Sequence, residues 1–142
     1  TRGGLRIGKI LPERLPDEPR DPELEWEQDG QYFHYLTQWM HALDQAARAA
    51  RSPKYNLWAQ ELAVRSHEAF TYSQPETGRR LMAWKMSIDL SRILVPSMGQ
   101  HDPLDGNITC AQLRATASHL GAAEIPSLAR VQTDFAVIAE RG

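Results

Sequence analysis

The sequence contains a single cysteine, Cys110, and this scarcity excludes two classes of small protein. One thiol can form neither an internal disulfide nor a thiolate cluster, so a disulfide-stapled secreted scaffold and a cysteine-based zinc site are both excluded. Cys110 falls on an apolar helical stripe with no basic residue beside it in the sequence. This setting predicts a buried structural thiol rather than a nucleophile.

The chain also lacks long apolar runs and an excess of positive charge. Its apolar runs are far shorter than the roughly 20 residues that cross a bilayer, and it contains no signal-peptide pattern. Sixteen Lys and Arg against 18 Asp and Glu give a net charge of −2, which disfavours a nucleic-acid partner. A glycine-rich phosphate loop and a serine elbow are absent as well. We expect a soluble protein with no membrane and no nucleic-acid partner, and a cytoplasmic location is favoured.

What the sequence does contain is helical periodicity, in two pairs of helices. Residues 1–28 are rich in proline and charge and predict an extended arm. Residues 29–71 predict a first helix hairpin, with Asp29 as the N-cap of its first helix. Residues 107–140 predict a second hairpin whose first helix is capped by Asp105 or Asn107.

Apolar residues at helical spacing predict which side chains form the core. On the last helix Leu128, Val131, Phe135 and Ile138 repeat at intervals of three and four residues. The first helix carries two apolar stripes side by side, so we expect it to be largely enclosed. Aromatic residues at helical spacing are more often core than ligand contacts, and this favours burial of Trp39 and Trp58.

Between the hairpins, residues 79–106 predict a strand followed by a long loop. The stretch 80–86 is too short for an independent helix and is bounded by turn residues, which favours a strand. The alternation of apolar and basic residues at 5–10 predicts the strand that pairs with it. The rest of the loop is rich in polar side chains, as functional loops are.

Three sequence blocks resemble those of uncharacterised bacterial proteins with α/α-toroid folds of the six-hairpin glycosidase and N-acylglucosamine 2-epimerase type. The blocks are EWEQDGQYFHY at 25–35, WKMSIDLSR at 84–92 and PSMGQHDPLDG at 96–106. The resemblance implies a mainly α fold, made of αα-hairpins of an α/α-toroid-like architecture with a small two-stranded β element. Such a toroid needs more helices than the four predicted here. The chain is therefore expected to be either a single domain that assembles as a homo-oligomer or part of a larger toroid domain.

The polar residues of these blocks predict a carbohydrate site at one rim of the helices. A glycosidase needs one protonated carboxyl and one ionised carboxylate, which favours Asp102 or Asp105 paired with Glu27 or Asp29. A sugar epimerase would instead move a proton with His34 or His101. Aromatic platforms and fixed donors are the usual partners of a sugar ring and its hydroxyls. The expected substrate-binding residues are Trp26, His34, Trp84, Lys85, Asp89, Arg92 and Gln100.

Two other readings of the same residues are open. The chain could be a non-catalytic helical scaffold or interaction module, with Asp29 and Asp105 as caps, Asp89 and Arg92 as an ion pair, and Lys85 solvated. The pair His101-Asp102 also resembles the metal-binding pair of all-α phosphohydrolases, but Pro103 is expected to force Asp102 out of helical geometry. His34 and His41 are seven residues apart, too far for a helical chelate. No cofactor and no metal are expected.

Overall fold

The computed structural model describes residues 8–141, apart from the side chain of Arg141. Within that range the chain forms five helices and five short strands. In order they are α1 (Leu24–Glu27), β1 (Gln31–Tyr32), α2 (Phe33–Ala50), α3 (Pro53–Phe70), β2 (Thr71–Ser73), β3 (Arg80–Met82), β4 (Lys85–Met86), β5 (Ile93–Val95), α4 (His101–Leu120) and α5 (Leu128–Arg141). The mainly α prediction is confirmed.

The four long helices form two antiparallel hairpins. Only Arg51 and Ser52 separate α2 from α3, and residues 121–127 connect α4 to α5. The helix α3 begins at Pro53, where a proline needs no amide hydrogen and its fixed φ suits the first turn. Short joints of this kind place consecutive helices side by side, and the chain forms two hairpins as expected. The second hairpin begins at His101 rather than at residue 107, so the end of the predicted loop is helical.

The hairpins stack so that α2 lies along α4 and α3 lies along α5. Two hydrogen bonds between α2 and α4 show the relative direction of these helices. Thr37 bonds Asp105 near one end, and Arg48 bonds Thr116 near the other, each across 68 residues of sequence. Because the sequence separation is constant, α2 and α4 run parallel.

The core fills the space between the two helix layers. Phe33, Phe70 and Phe135 meet at its centre, with ring centroids 5.6 Å and 5.4 Å from Phe33 to the other two. All four residues of the predicted α5 stripe are buried, as is Cys110. The core predictions for α5 and for the thiol are therefore confirmed.

The predicted burial of Trp39 and Trp58 is wrong. Trp39 is 53% exposed and Trp58 is 45% exposed. The buried face of α2 is already filled by Phe33, Leu36 and Met40. At about 100° per residue, Trp39 lies a quarter turn or more around the helix from its neighbour Met40, at the margin of the buried face, and none of the described segments covers it there.

The predicted helix caps at Asp29 and Asp105 are wrong as well. Tyr32 precedes α2 as its N-cap residue, because β1 holds residues 31 and 32 extended. Asp29 is fully buried, and its Oδ1 accepts the backbone amide of Gly8 at 3.1 Å. The helix α4 begins at His101, so Asp105 is inside it.

Pro103 does not break α4, contrary to the expectation from sequence. It occupies the third position of the first turn, after His101 and Asp102. The first amides of a helix have no partner within the helix, so a proline without that hydrogen is tolerated there. Asp102 is consequently helical.

The predicted strand at 80–86 is two strands in two different sheets. The strand β3 pairs with β2, while β4 lies between β1 and β5 in an antiparallel sheet. The two neighbours of β4 are therefore β1 and β5. Of the predicted partner strand at residues 5–10, residues 5–7 lie outside the described residues, and residues 8–10 are not in a strand.

The described part of the predicted arm, residues 8–28, is anchored to the rest of the protein and is not extended throughout. It contains α1, and Leu11 forms a parallel bridge with Gln28. Among the described residues no helix is both long and apolar enough to cross a membrane.

Candidate functional site

An aromatic cluster lies where the first turn of α2 meets β4. The Trp84 ring contacts Trp26 and Tyr32 edge to face, with centroids 4.8 Å and 4.9 Å away. Tyr32 is buried, whereas half of Trp26 is exposed. His34 and Tyr35 continue the cluster onto the surface, with ring centroids 4.6 Å apart. The cluster therefore offers open aromatic faces on a buried base, as sugar-binding platforms do.

A small cavity of about 50 Å³ opens beside this cluster. Its lining comes from Trp84, from residues 98 and 99 of the loop before α4, and from His101 and Asp102 at the start of α4. A water molecule occupies about 30 Å³ in the liquid. The cavity therefore accommodates one or two hydroxyl-sized groups, and a sugar ring would lie outside it.

Asp102 is the most unusual polar group of this site. Its Oδ2 atom is buried and has no hydrogen-bond partner among the described residues. Burial raises the pKa of Asp102 because the ionised form loses its hydration. The positive charge of His34 and His101 opposes this rise, and the carboxylate of Asp105 adds to it. The net effect favours the protonated acid.

Asp105 is one turn further along α4, and it connects two helices. Thr37 of α2 donates its hydroxyl hydrogen to Asp105 Oδ2 at 2.6 Å, and Thr109 approaches Oδ1 at 3.5 Å. The side chain is partly buried. Its geometry suits a carboxylate that holds α4 against α2, and its charge acts on Asp102 from there.

The structure does not place Lys85 on the surface of the site. Its side chain is fully buried, and Nζ donates to the carbonyl oxygens of Glu25 and Gln28 at 2.7 Å and 2.9 Å and to Glu25 Oε1 at 3.1 Å. All three donors are used, so none remains for a ligand hydroxyl. The alternative of a solvated Lys85 is also wrong. Burial lowers the pKa of Lys85, and the hydrogen bond to Glu25 acts in the opposite direction.

Asp89 and Arg92 do not form the ion pair that the scaffold reading expected. Asp89 accepts hydrogen bonds from Ser91 and Ser87 in a tight turn, which lower its pKa to about 2. Arg92 instead pairs with Glu13 at 3.2 Å and donates to the Arg14 carbonyl at 2.6 Å. Both side chains hold the loop and the arm in place.

Glu27 and Gln100 lie on the surface. Glu27 is exposed at the end of α1, next in sequence to Trp26, and Gln100 is the exposed residue that precedes α4. Of the residues predicted for the site, the cavity brings together Trp84, His101 and Asp102, and the aromatic cluster adds Trp26 and His34.

Sequence reasoning missed two polar or aromatic residues near this end of α2. Tyr32 was assigned to a helix, but it lies in β1 beneath the Trp84 ring, and burial raises its pKa to about 12. Gln31 is 1% exposed, and neither polar atom of its amide has a partner among the described residues. The sequence offered one indication of Gln31. It is a polar residue directly before an apolar helical stripe, and a polar residue at such a position can belong to a buried site.

The part of the chain that the structure describes contains no cluster of side chains that could bind a metal ion. No group of three or more His, Cys, Asp or Glu side chains converges there. Burial raises the pKa of the Cys110 thiol to about 12, which keeps it protonated and inert.

The described chain is thus a mainly helical protein with two stacked hairpins and an aromatic, carboxyl-bearing rim. Comparison with known proteins adds no assignment: no family model, no curated protein and no solved structure matches the chain.

Proposed function

We propose that this protein binds a saccharide at the rim formed by the Trp26–Trp84 aromatic cluster and processes it with Asp102 as the proton donor. The observation that carries the proposal is the buried, unpartnered Oδ2 of Asp102 in a cavity against Trp84. Burial raises the pKa of this carboxyl, which favours the proton donor that the departure of a glycosidic oxygen requires. The α/α-toroid resemblance of the same sequence blocks supports the same substrate class.

The shape of the rim suits a ring outside and a substituent inside. Trp26 is half exposed and contacts Trp84, which lines the cavity, so we assign its ring as the surface on which the apolar face of a pyranose stacks. A hydroxyl or glycosidic oxygen of that ring would enter the cavity and accept the Asp102 proton. Glu27, exposed next to Trp26, is the carboxylate we assign to the second role, that of base or nucleophile.

A sugar epimerase would use the same rim differently. His101 lines the same cavity as Asp102, and His34 belongs to the adjoining aromatic cluster, so these are the two imidazoles we assign to the proton transfer. In that case the imidazole removes a proton next to a carbonyl and Asp102 donates one to the oxygen. The two activities are separated by product, because only hydrolysis releases a leaving group.

A non-catalytic interaction module is the second candidate. The observation in its favour is that Lys85, Asp89, Arg92 and Asp105 are all bonded within the protein. In that case the exposed aromatics of the rim contact a partner surface and Asp102 has no chemical role.

The test is a screen of p-nitrophenyl α- and β-glycosides for hydrolysis and of free hexoses and N-acetylhexosamines for epimerisation. Asp102→Asn keeps the shape of the side chain and removes the proton donor. We expect it to lower turnover by about 10²-fold or more, the usual contribution of a general acid, with saccharide binding retained. Trp26→Ala should weaken binding instead. Asp17→Asn, an exposed acid of the arm, is the matched control.

Three outcomes are informative. Turnover that depends on Asp102 supports the enzyme. Binding that depends on Trp26 without turnover supports recognition alone and contradicts the acid role. If no saccharide in the panel binds or reacts, the carbohydrate proposal is wrong and the interaction module is favoured.

A further inference from the structure

A second, larger cavity lies at the opposite end of α2 and α4 from the rim. Its volume is about 720 Å³, and it is lined by Arg48, Arg51, Ala115, Thr116, His119 and Leu120. Small-molecule sites commonly have volumes of about 300 to 1,000 Å³. The lining combines three cationic or titratable side chains with an apolar wall, and it contains no carboxylate.

Arg48 is held so that its terminal donors are free. Its Nε donates to Thr116 Oγ1 at 3.0 Å and lies 3.0 Å from Oδ2 of the buried Asp44. Neither terminal nitrogen of the guanidinium has a hydrogen-bond partner among the described residues. A guanidinium anchored through Nε presents its remaining N–H groups as a fixed fork, which matches the spacing of phosphate or carboxylate oxygens.

Arg51 supplies the net positive charge. The charge of Arg48 is balanced by Asp44, whereas the Arg51 side chain has no ion pair or hydrogen bond among the described residues. His119 adds positive charge whenever it is protonated. An anion in the cavity would therefore be held by directed donors from Arg48 and by charge from Arg51.

The backbone at Arg51 gives an independent indication. Arg51 ends α2 in the left-handed conformation, with φ 47° and ψ 42°. The same position at the end of α4 is Gly121, with φ 63°. A side chain in this conformation costs backbone energy that glycine avoids. The protein thus keeps an arginine where glycine would be more stable, as expected if the side chain has a function.

Helix carboxyl ends repel anions, but here that effect is reduced. The amides of Arg51 and Ser52 donate to carbonyls of residues 47 and 48, and those of Gly121 and Ala122 donate to carbonyls of residues 117 and 118, so two of the last four carbonyls of each helix are capped. Capped carbonyls carry less free negative charge towards the cavity.

We propose that this cavity is a binding site for a phosphate monoester, with the phosphate on Arg48 and Arg51 and the organic group against Ala115 and Leu120. The site is separate from the rim, and the proposal is independent of the saccharide proposal. A phosphate monoester presents three terminal oxygens in a tetrahedral array and carries more negative charge than a carboxylate, so it can accept from both guanidinium groups at once and is held more strongly by them.

The test is titration of the ¹⁵N-labelled full chain with phenyl phosphate and with inorganic phosphate, followed by NMR. We expect saturable shifts confined to amides near Arg51, Thr116 and Gly121. Phenyl phosphate should bind more tightly than inorganic phosphate because its ring contacts the apolar wall, and acetate should bind more weakly than either. Raising the salt concentration should weaken binding, since the interaction is ionic.

The decisive variant is Arg51→Gly. It removes the charged side chain and relieves the left-handed backbone, so it should raise the melting temperature while weakening phenyl phosphate binding by about tenfold or more. Loss of binding therefore cannot be attributed to unfolding. Arg130→Gln, an exposed arginine of α5, is the matched control and should bind as the wild type does.

Several results would overturn the proposal. Unchanged affinity in Arg51→Gly would show that the cavity is not the site. Shifts spread over arginines throughout the chain would indicate non-specific ion binding. Absence of saturation with either phosphate would leave the cavity as a groove for another occupant, such as an acidic segment of a partner protein.

Discussion

The ammonium nitrogen of Lys85 lies 3.1 Å from Oε1 of Glu25 in a region that solvent does not reach. Glu25 is itself bonded through Oε2 to Arg14 at 3.0 Å, and Arg14 donates to the carbonyl of Leu94. A chain of charged groups thus joins the arm, α1, β4 and β5. Trp26 directly follows Glu25 and Trp84 directly precedes Lys85, so the ion pair and the Trp26–Trp84 ring contact join the same two segments beside the aromatic cluster.

Replacing Lys85 with methionine should strongly destabilise the protein. The substitution removes one partner of a buried ion pair and leaves three acceptor atoms without a donor, an effect of about 3 kcal/mol in the free energy of unfolding. Urea denaturation measures the loss. Lys54→Met, on the exposed surface of α3, should change stability by less than about 0.5 kcal/mol. Equal stability of the two variants would show that the network is not structural.

Gly106→Ala should destabilise the second hairpin, although alanine is the better helix former. A Cβ atom at residue 106 would lie 2.9 Å from three carbons of the Phe135 ring, which is itself buried in the core. Overpacking of this kind costs about 1 to 3 kcal/mol, more than the gain of about 1 kcal/mol in helix propensity.

A double variant separates this clash from a general effect on α4. Phe135→Leu should reduce the cost of Gly106→Ala, so the two changes should be non-additive in thermal denaturation. Ser118→Ala, an exposed change in the same helix, is the control. If the effects of the two substitutions on stability are additive, the contact with Phe135 is not the cause of the destabilisation by Gly106→Ala.

Asp134 should make the protein more stable above its pKa than below it. Burial raises its pKa, but hydrogen bonds from Arg80 at 2.6 Å and His67 at 2.7 Å outweigh that effect, so the net pKa is lowered. A lowered pKa stabilises the fold above the unfolded-state value of about 3.9, and the contribution is lost as the pH falls through the folded-state pKa.

Comparison of the wild type with Asp134→Asn tests whether ionised Asp134 stabilises the fold. The variant should be less stable than the wild type by about 2 kcal/mol at neutral pH, the usual effect of removing hydrogen bonds to a charged group. The difference should shrink as the pH is lowered below about 4. A difference that stays constant with pH would contradict the assignment.

Asp102 should show the opposite pH dependence. Because its pKa is raised in the folded state, its protonated form stabilises the fold at pH values below the unfolded-state pKa, and this contribution is lost as the pH rises through the raised pKa. The stability of the wild type relative to Asp102→Asn should therefore fall with increasing pH. Urea denaturation of both proteins at a series of pH values measures this difference in stability. A difference that rises with pH would contradict a raised pKa for Asp102.

The sequence predicted the helices well because their signals are local. The α5 stripe, for example, depends only on residues three or four positions apart within one helix. The strands were predicted poorly because their partners are distant. Nothing near residues 80–86 indicates that β3 pairs with 71–73 while β4 pairs with 31–32 and 93–95.

The candidate site, too, was predicted from the sequence only in part. The sequence identified Asp102, His101 and Trp84 as candidates, and the structure brings these three to one cavity. It also suggested Lys85 as a ligand contact, but burial of a lysine depends on acceptors from a segment 60 residues away. Trp39 shows the reverse error, since apolar periodicity indicates a face without indicating whether a neighbour covers it.

By itself the sequence determined the mainly α composition, the two hairpins and the inert thiol, because helix periodicity, short joints and the surroundings of one cysteine are properties of neighbouring residues. Only the tertiary structure decided which polar groups lose contact with water. Asp102 is left without a partner, Lys85 is enclosed by three acceptors, and Arg48 is anchored through Nε. Hydration and pairing of charges depend on every chain segment that meets at one point in space, and no local pattern in the sequence records that.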